Sequence, residues 1–249
     1  MADRTLNVIK MCIRDRLIPG ARSRRRLVAA CRVDRWLVQR PRAADDGGLT
    51  FLLPMPIHEA DPWRLQYFSQ VNTTANITTE DTDAWQWYPA HRWVYDKLDV
   101  ALSQKLEAGP HGTPAPRFPV FSKPIVNLKG MGVGSRPLNS QAEYDAHYAP
   151  GHFWMTLLDG RHVSSDLAVL DGVPRWWRHV TGKPAGEGTF DYWTIHAEPE
   201  ADIEQRCGAW VRRHLAGYTG MLNLETIGDT IIEVHLRFAD QWPDLYRCV

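Results

Sequence analysis

Apolar and polar positions along this chain repeat with two different periods, and the changes of period mark out its elements. From His91 to Leu106, the apolar residues Val94, Leu98, Ala101 and Leu102 recur at helical spacing among strong helix formers, which predicts a helix. Ala108 to Pro119 holds Gly109-Pro110, Gly112 and three further prolines and predicts a loop. Phe118 to Leu128 carries alternating apolar residues and reads as a strand, broken by Gly130, Gly132 and Gly134. Ser140 to His147 reads as a short helix, opened by a capping box of Ser140 and Glu143. Three strand-like runs follow, His152 to Leu158, His162 to Leu170 and Val173 to Val180, separated by the hairpin signals Asp159-Gly160 and Asp171-Gly172. Pro199 to Leu215 is a helix with Ile203, Cys207, Trp210, Val211 and Leu215 inward, and Tyr218 to Ile227 with Thr230 to Phe238 forms a last hairpin about Gly228-Asp229. The order predicts an α+β arrangement of sheet and helices, not a doubly wound parallel sheet.

The front of the chain reads differently. Residues 1–50 are Arg-rich, as in Arg22-Ser23-Arg24-Arg25-Arg26, with poor periodicity. A transit peptide and a basic nucleic-acid arm both fit that composition. The string Met11-Cys12-Ile13-Arg14-Asp15-Arg16 resembles translated sequencing-adapter read-through, so the head is read as non-native or disordered. Residues 51–91 form a short N-terminal segment. Asp61-Pro62 starts a helix there, and Val71 to Asp83, rich in Thr and Asn, predicts loop and short strand.

Composition narrows the function classes. The chain has 249 residues, 44% hydrophobic and 23% charged, with formal net charge zero. No global field therefore favours nucleic acid or an anionic membrane surface, and no apolar run approaches the ~18 residues of a spanning helix. The four cysteines, Cys12, Cys31, Cys207 and Cys248, show no metal or disulfide spacing, so the cytoplasm is the expected compartment. Eleven tryptophans imply aromatic layers in the core or a wall for a flat ligand.

Two stretches carry candidate chemistry. In Lys123-Pro124-Ile125-Val126-Asn127-Leu128-Lys129-Gly130-Met131-Gly132-Val133-Gly134-Ser135-Arg136, a strand lysine precedes three glycines at alternate positions. Glycines let backbone N–H groups turn toward a phosphate chain, and a lysine adds charge for the same oxygens. The spacing matches neither the Rossmann nor the Walker pattern, and a plain glycine-rich hairpin stays open. In the second stretch Glu233, His235 and Arg237 alternate with Val234, Leu236 and Phe238, and Glu225 lies across a short turn. Period two puts the polar set on one face. Two carboxylates and an imidazole there suit a divalent cation, and an arginine suits a phosphate or carboxylate. A solvated face of surface ion pairs is the alternative. Elsewhere Asp166, and Arg175, Arg178 and His179 beside Trp176-Trp177, are either site residues or strand-face and cation–π residues. Gly182 to Gly188 reads as a mobile loop from which Lys183 either reaches a ligand or stays in solvent.

The segment Ile232-Glu233-Val234-His235-Leu236-Arg237-Phe238, preceded by Glu225, resembles the Glu-Val-Asn-Pro-Arg-Phe signature of ATP-grasp enzymes. Val120-Phe121-Ser122-Lys123-Pro124 and its glycine loop resemble that superfamily's ATP-binding lysine and phosphate loop, and Tyr95-Asp96-Lys97-Leu98 its earlier lysine. Phe153-Trp154-Met155-Thr156-Leu157-Leu158-Asp159-Gly160 resembles the strand and hinge that receive adenine, and Gly160-Arg161-His162-Val163 an Arg-His segment of biotin-carboxylase-type members.

The resemblance implies two α+β lobes with antiparallel sheets clasping ATP, within residues 92–249: a small lobe about 117–158 and a large lobe about 159–246. It implies ATP bound through Lys97, Lys123, Gly130, Gly132, Gly134, Ser135, Met155, Leu157, Leu158 and His162. It implies Mg2+, with Mn2+ as the alternative, held by Glu225, Glu233 and His235, and catalytic roles for Arg237 and Lys183. The implied reaction activates a small-molecule carboxylate as an acyl phosphate for attack by an amine, with no nucleic-acid or membrane partner. His235 and Leu236 depart from the signature's Asn and Pro. Imidazole is a poor magnesium ligand, so His235 binds Mn2+, bonds a phosphate, or stands behind the ligands. Asp159 and His162 are the candidates for gripping the ribose. The competing readings are a nucleotide-binding module without catalysis, and a metal-dependent hydrolase or carbohydrate binder. Sequence leaves the substrates and the oligomeric state open.

Overall fold

A computed structural model describes residues 8–10, 57–58, 62–65, 76–127, 132, 134–186 and 189–239. All of these fall in one compact unit, Met1–Met11 with Pro56–Val249. In chain order the elements are β1 (Val8–Lys10), β2 (Ile57–His58), α1 (Pro62–Leu65), β3 (Ile77–Thr78), α2 (Asp81–Trp87), a 3-10 turn (Arg92–Tyr95), α3 (Lys97–Ser103), β4 (Ala108–Pro110), β5 (Val120–Pro124) and β6 (Arg136–Leu138). They continue with α4 (Gln141–Ala146), β7 (His152–Thr156), β8 (His162–Leu170), β9 (Val173–Gly186), β10 (Thr189–Ile195), α5 (Ala201–His214), β11 (Gly220–Ile227) and β12 (Thr230–His235). A small sheet has the order β4-β7-β5-β6 and a large one the order β1-β10-β9-β8-β11-β12. Every neighbouring pair in both is antiparallel, and β2 with β3 forms a separate parallel pair. The expected α+β class is what the chain adopts. No helix among the described residues is long and apolar enough to cross a membrane.

Several elements differ from the sequence reading, each for a local reason. The single helix expected over His91 to Leu106 is two pieces. Asp96 takes an extended conformation and its carboxylate accepts the Asp99 N–H at 2.9 Å, so a fresh helix starts at Lys97. The strand expected to run to Leu128 stops at Pro124, where the next N–H, of Ile125, turns to Gly151 O at 2.8 Å. Asp159-Gly160 is not a hairpin: β7 and β8 belong to different sheets, and the linker crosses between them. Gly160 has φ +130°, and a Cβ there would stand 3.0 Å from the Gly228 backbone, so the crossing needs glycine. Asp171-Gly172 is the hairpin it looked like, with φ of 51° and 71° and Leu170 opposite Val173. The expected mobile loop over Gly182 to Gly188 is largely strand, since β9 runs on to Gly186 and pairs with β10, which the sequence reading lacked.

The main core lies where Val163, Leu167, Leu222, Leu224 and Val234 of the large sheet meet Ile203, Cys207, Trp210 and Val211 of α5. Burying Val211 and Leu215 stabilises the fold by roughly 1.5–3 kcal/mol each. β12 ends the large sheet, and its outer edge is covered rather than left open. The Gln104 side-chain amide acts as a strand partner there, donating to Ile231 O at 2.7 Å and accepting from Ile231 N at 2.8 Å. Thr78 Oγ1 donates to Leu236 O at 2.9 Å, and Leu236 N donates to the Tyr95 hydroxyl at 3.3 Å. The candidate acid Glu233 on β12 is therefore held on a fixed strand.

Candidate active site

An apolar cleft opens between the two sheets, with an empty volume of about 340 Å³ counted to its mouth. Phe121 and Lys123 enter it from β5, Met155 and Thr156 from β7, Leu157 and Leu158 from the linker, and Ile227 and Ile232 from the β11–β12 hairpin. Strand alternation explains the first set. Phe121 lies opposite Met155 and Lys123 opposite Phe153, so these four share one face of the small sheet. Leu157 is 40% exposed, an apolar side chain left bare at this cleft.

The charged groups gather at Lys123. Its Nζ donates to the Ile232 carbonyl of β12 at 2.7 Å and sits 5.6 Å from the centre of the Phe153 ring. One residue further on, Glu233 lies directly opposite Glu225 in the β11–β12 register, which places the two carboxylates side by side. Lys97, at the start of α3, brings its Nζ to 2.7 Å from Glu233 Oε1, and His162 Nε2 is 3.1 Å from Glu225 Oε2. Burial pushes the Lys123 ammonium down to about 8, with Glu233 resisting and Lys97 adding to the fall. The Glu233 carboxyl is held well below the usual range: burial opposes its charge, but His235 and Lys97 outweigh burial. His162 is raised, because its bond to Glu225 outweighs its own burial.

Behind this group is a buried assembly that the sequence reading missed. Asp81 of α2 accepts the Tyr95 hydroxyl at 3.0 Å, lies 3.1 Å from His235 Nδ1, and receives Arg237 Nη2 at 2.7 Å. The other His235 nitrogen, Nε2, is 3.3 Å from Glu233 Oε1. Burial disfavours the imidazolium, but Asp81 and Glu233 lift His235 to about 9. Asp81 is itself lowered to about 2, its burial outweighed by His235 and Arg237.

Both ring nitrogens of His235 thus face carboxylates, Nδ1 toward Asp81 and Nε2 toward Glu233. A ring nitrogen that donates to a carboxylate offers no lone pair to a metal. Among the described residues no group of three or more His, Cys, Asp and Glu side chains has metal-holding geometry. What remains is the pair Glu225 and Glu233. Two hard oxygen donors side by side fit a magnesium ion that takes its other ligands from phosphate and water. Arg237, expected to face substrate, is 8% exposed and committed to Asp81 and to Phe238 O at 2.7 Å.

The remaining candidates are placed as follows. Gly130 lies outside the described residues. Gly132 and Gly134 have φ of 59° and 80°, and Ser135 N donates to Gly132 O at 2.9 Å, so the stretch joining β5 to β6 turns sharply there. A Cβ on Gly134 would meet His152 Nε2 at 3.1 Å. Lys183 is exposed on β9, opposite Tyr192, rather than on a mobile loop. Asp159 accepts the Gly160 N–H at 2.9 Å, a turn contact. Asp166 is buried and accepts from Asn223 Nδ2 at 2.9 Å and Ala239 N at 2.8 Å, so it braces the large sheet. The ring stacked on Trp177 is His179, at 5.7 Å.

No protein-family profile and no curated protein matches the chain. Solved structures do. An L-amino acid ligase from Bacillus licheniformis superposes with a TM-score of 0.50 at 12% identity, over 72% of this chain and 52% of that one. An ATP-grasp superfamily protein from Archaeoglobus fulgidus gives 0.48 at 12% identity, over 69% and 62%. An N5-carboxyaminoimidazole synthetase from Staphylococcus aureus, complexed with ADP, gives 0.49 at 11% identity, over 67% and 49%. This chain therefore spans between about half and three-fifths of the length of these proteins. With the L-amino acid ligase the chain shares a fold, α+β with two antiparallel sheets.

Proposed function

We propose that this chain binds Mg-ATP between its two sheets and uses it to activate a carboxylate as an acyl phosphate, which an amine then attacks. The observation that carries the reading is that Lys123 of the small sheet, lining the apolar cleft and bonded to the Ile232 carbonyl, lies within electrostatic reach of Lys97, Glu225 and Glu233. Met155, Leu157 and Leu158 offer a flat base an apolar slot. Lys97 and Lys123 supply fixed positive charge for phosphate oxygens, which is what phosphoryl transfer asks of a protein. Glu225 and Glu233 are the proposed ligands of magnesium, which when bound neutralises charge on the phosphate chain. Backbone N–H groups of Gly132 to Ser135 are proposed to cover the terminal phosphate. His162, beside Glu225, is proposed near the ribose. Lys183 is proposed at the acceptor end, and Arg237 as a brace behind the acids. A substrate carboxylate oxygen attacks the γ-phosphorus, ADP leaves, and the amine nitrogen then attacks the acyl carbon and expels phosphate.

ADP release with mixed carboxylates and amines tests this. Lys123→Met and Glu233→Gln should each slow it by about 100-fold or more; undiminished release by either variant contradicts the assignment. A module that binds nucleotide without catalysis is the second reading, favoured by the committed Arg237. It predicts ATP binding with no ADP release whichever acids and amines are supplied.

A further inference from the structure

Asp81 stands on α2, in the N-terminal segment and far in sequence from the lysines and acids of the cleft, yet its contacts lead directly to them. Its carboxylate is 4% exposed and meets three donors, the Tyr95 hydroxyl, His235 Nδ1 and Arg237 Nη2. A buried carboxylate is costly unless its oxygens are met, and here they are. His235 carries the contact onward: its second nitrogen is 3.3 Å from Glu233 Oε1, the same oxygen that Lys97 approaches at 2.7 Å. A line of carboxylate, imidazole and carboxylate thus runs from α2 to the acid strand. A histidine ring keeps its orientation when both nitrogens are engaged, and Asp81 engages the one that Glu233 does not.

We propose that Asp81 is a positioning residue for the cation-binding carboxylate: it fixes the plane of the His235 ring, and the ring with Lys97 fixes Oε1 of Glu233, which leaves the other oxygen of Glu233 to face a divalent cation. The inference rests on the Mg-ATP reading of the cleft. It makes the N-terminal segment part of the site, because α2 supplies the group that holds the acid strand's side chains in place. Carboxylates behind a metal ligand orient it, and their loss weakens metal binding without touching the metal.

The test uses the full chain and calorimetric titration with ATP, over a series of magnesium concentrations and in EDTA, with circular dichroism as the check on folding. Asp81→Asn should raise the magnesium concentration at half-effect by about tenfold while metal-free ATP affinity changes by less than about twofold. Tyr95→Phe removes one donor to Asp81 but keeps its charge, so it should shift the midpoint the same way by less; it carries the test if Asp81→Asn does not fold. A role in stability alone would lower the melting temperature and leave the magnesium midpoint where it was. An unshifted midpoint in a folded variant, or equal losses with and without magnesium, overturns the inference. If the wild-type chain shows no magnesium-dependent binding, the ATP reading fails and this inference falls with it. Wild-type binding with unshifted variants overturns this inference alone.

Discussion

His235 and His179 are both buried, both on the large sheet, and both touch a glutamate, yet their charges move in opposite directions. His179 Nδ1 is 2.8 Å from the Ser165 hydroxyl and its Nε2 3.2 Å from Glu204, which is 29% exposed. Burial wins there over Glu204, and His179 is lowered. His235 has a carboxylate at each nitrogen, and these are far drier, Asp81 at 4% exposure and Glu233 at 17%. Burial loses there, and His235 is raised to about 9. A buried histidine is therefore shifted up or down by the dryness and number of the anions around it. Beside a hydroxyl and a wet glutamate burial is the stronger influence; two shielded carboxylates reverse it.

Removing the main carboxylate beside each ring should separate the two histidines. Asp81→Ala strips the partner from two buried cations, His235 and Arg237, and should cost about 3–5 kcal/mol in urea unfolding. Glu204→Ala leaves a neutral ring with its serine contact and should cost about 1 kcal/mol. Equal losses would mean that the two rings carry the same charge.

The dependence of stability on pH sharpens the same contrast. The folded value of His235 lies above its unfolded 6.5, so its contribution is complete below 6.5 and is lost as pH rises toward 9, roughly 3 kcal/mol in all. His179 is lowered when folded, so its contribution is present above 6.5 and is lost as pH falls below it. Near pH 8 the buried Lys123 begins to act against the His235 trend, since losing its proton relieves its burial. Melting temperatures between pH 6.5 and 8 should therefore fall for the wild type and fall less steeply in His235→Gln, where the raised His162 still contributes, while His179→Gln should alter only the slope below 6.5. A wild-type slope retained in His235→Gln would contradict a charged His235.

Elements that depend on neighbouring residues were legible in the sequence. The β11–β12 hairpin, the Asp171-Gly172 turn and α5 follow from local period and turn chemistry, and the structure has them within a few residues of the expected bounds. The small-sheet face that lines the cleft was legible for the same reason, as Phe121, Lys123 and Met155 alternate along two strands. What escaped depends on distant partners. Asp159-Gly160 announces a reversal of the chain, but which sheet the next strand joins is set by the whole topology. β10 was hidden because glycines and Pro184 at the end of β9 look like loop, and the pairing tolerates them through register shifts. Asp81 lay unnoticed in a Thr- and Asn-rich stretch because its partners, His235 and Arg237, are 154 and 156 residues away. Nothing in the sequence near His235 shows that its Nδ1 faces a buried carboxylate.

A crystal structure with magnesium and a non-hydrolysable ATP analogue tests the central claim most directly. The account predicts the base against Met155, Leu157 and Leu158, the phosphates at Lys97 and Lys123, and magnesium on Glu225 and Glu233. An analogue bound elsewhere, or a cleft that stays empty at saturating concentration with Lys123 still on the Ile232 carbonyl, would contradict it.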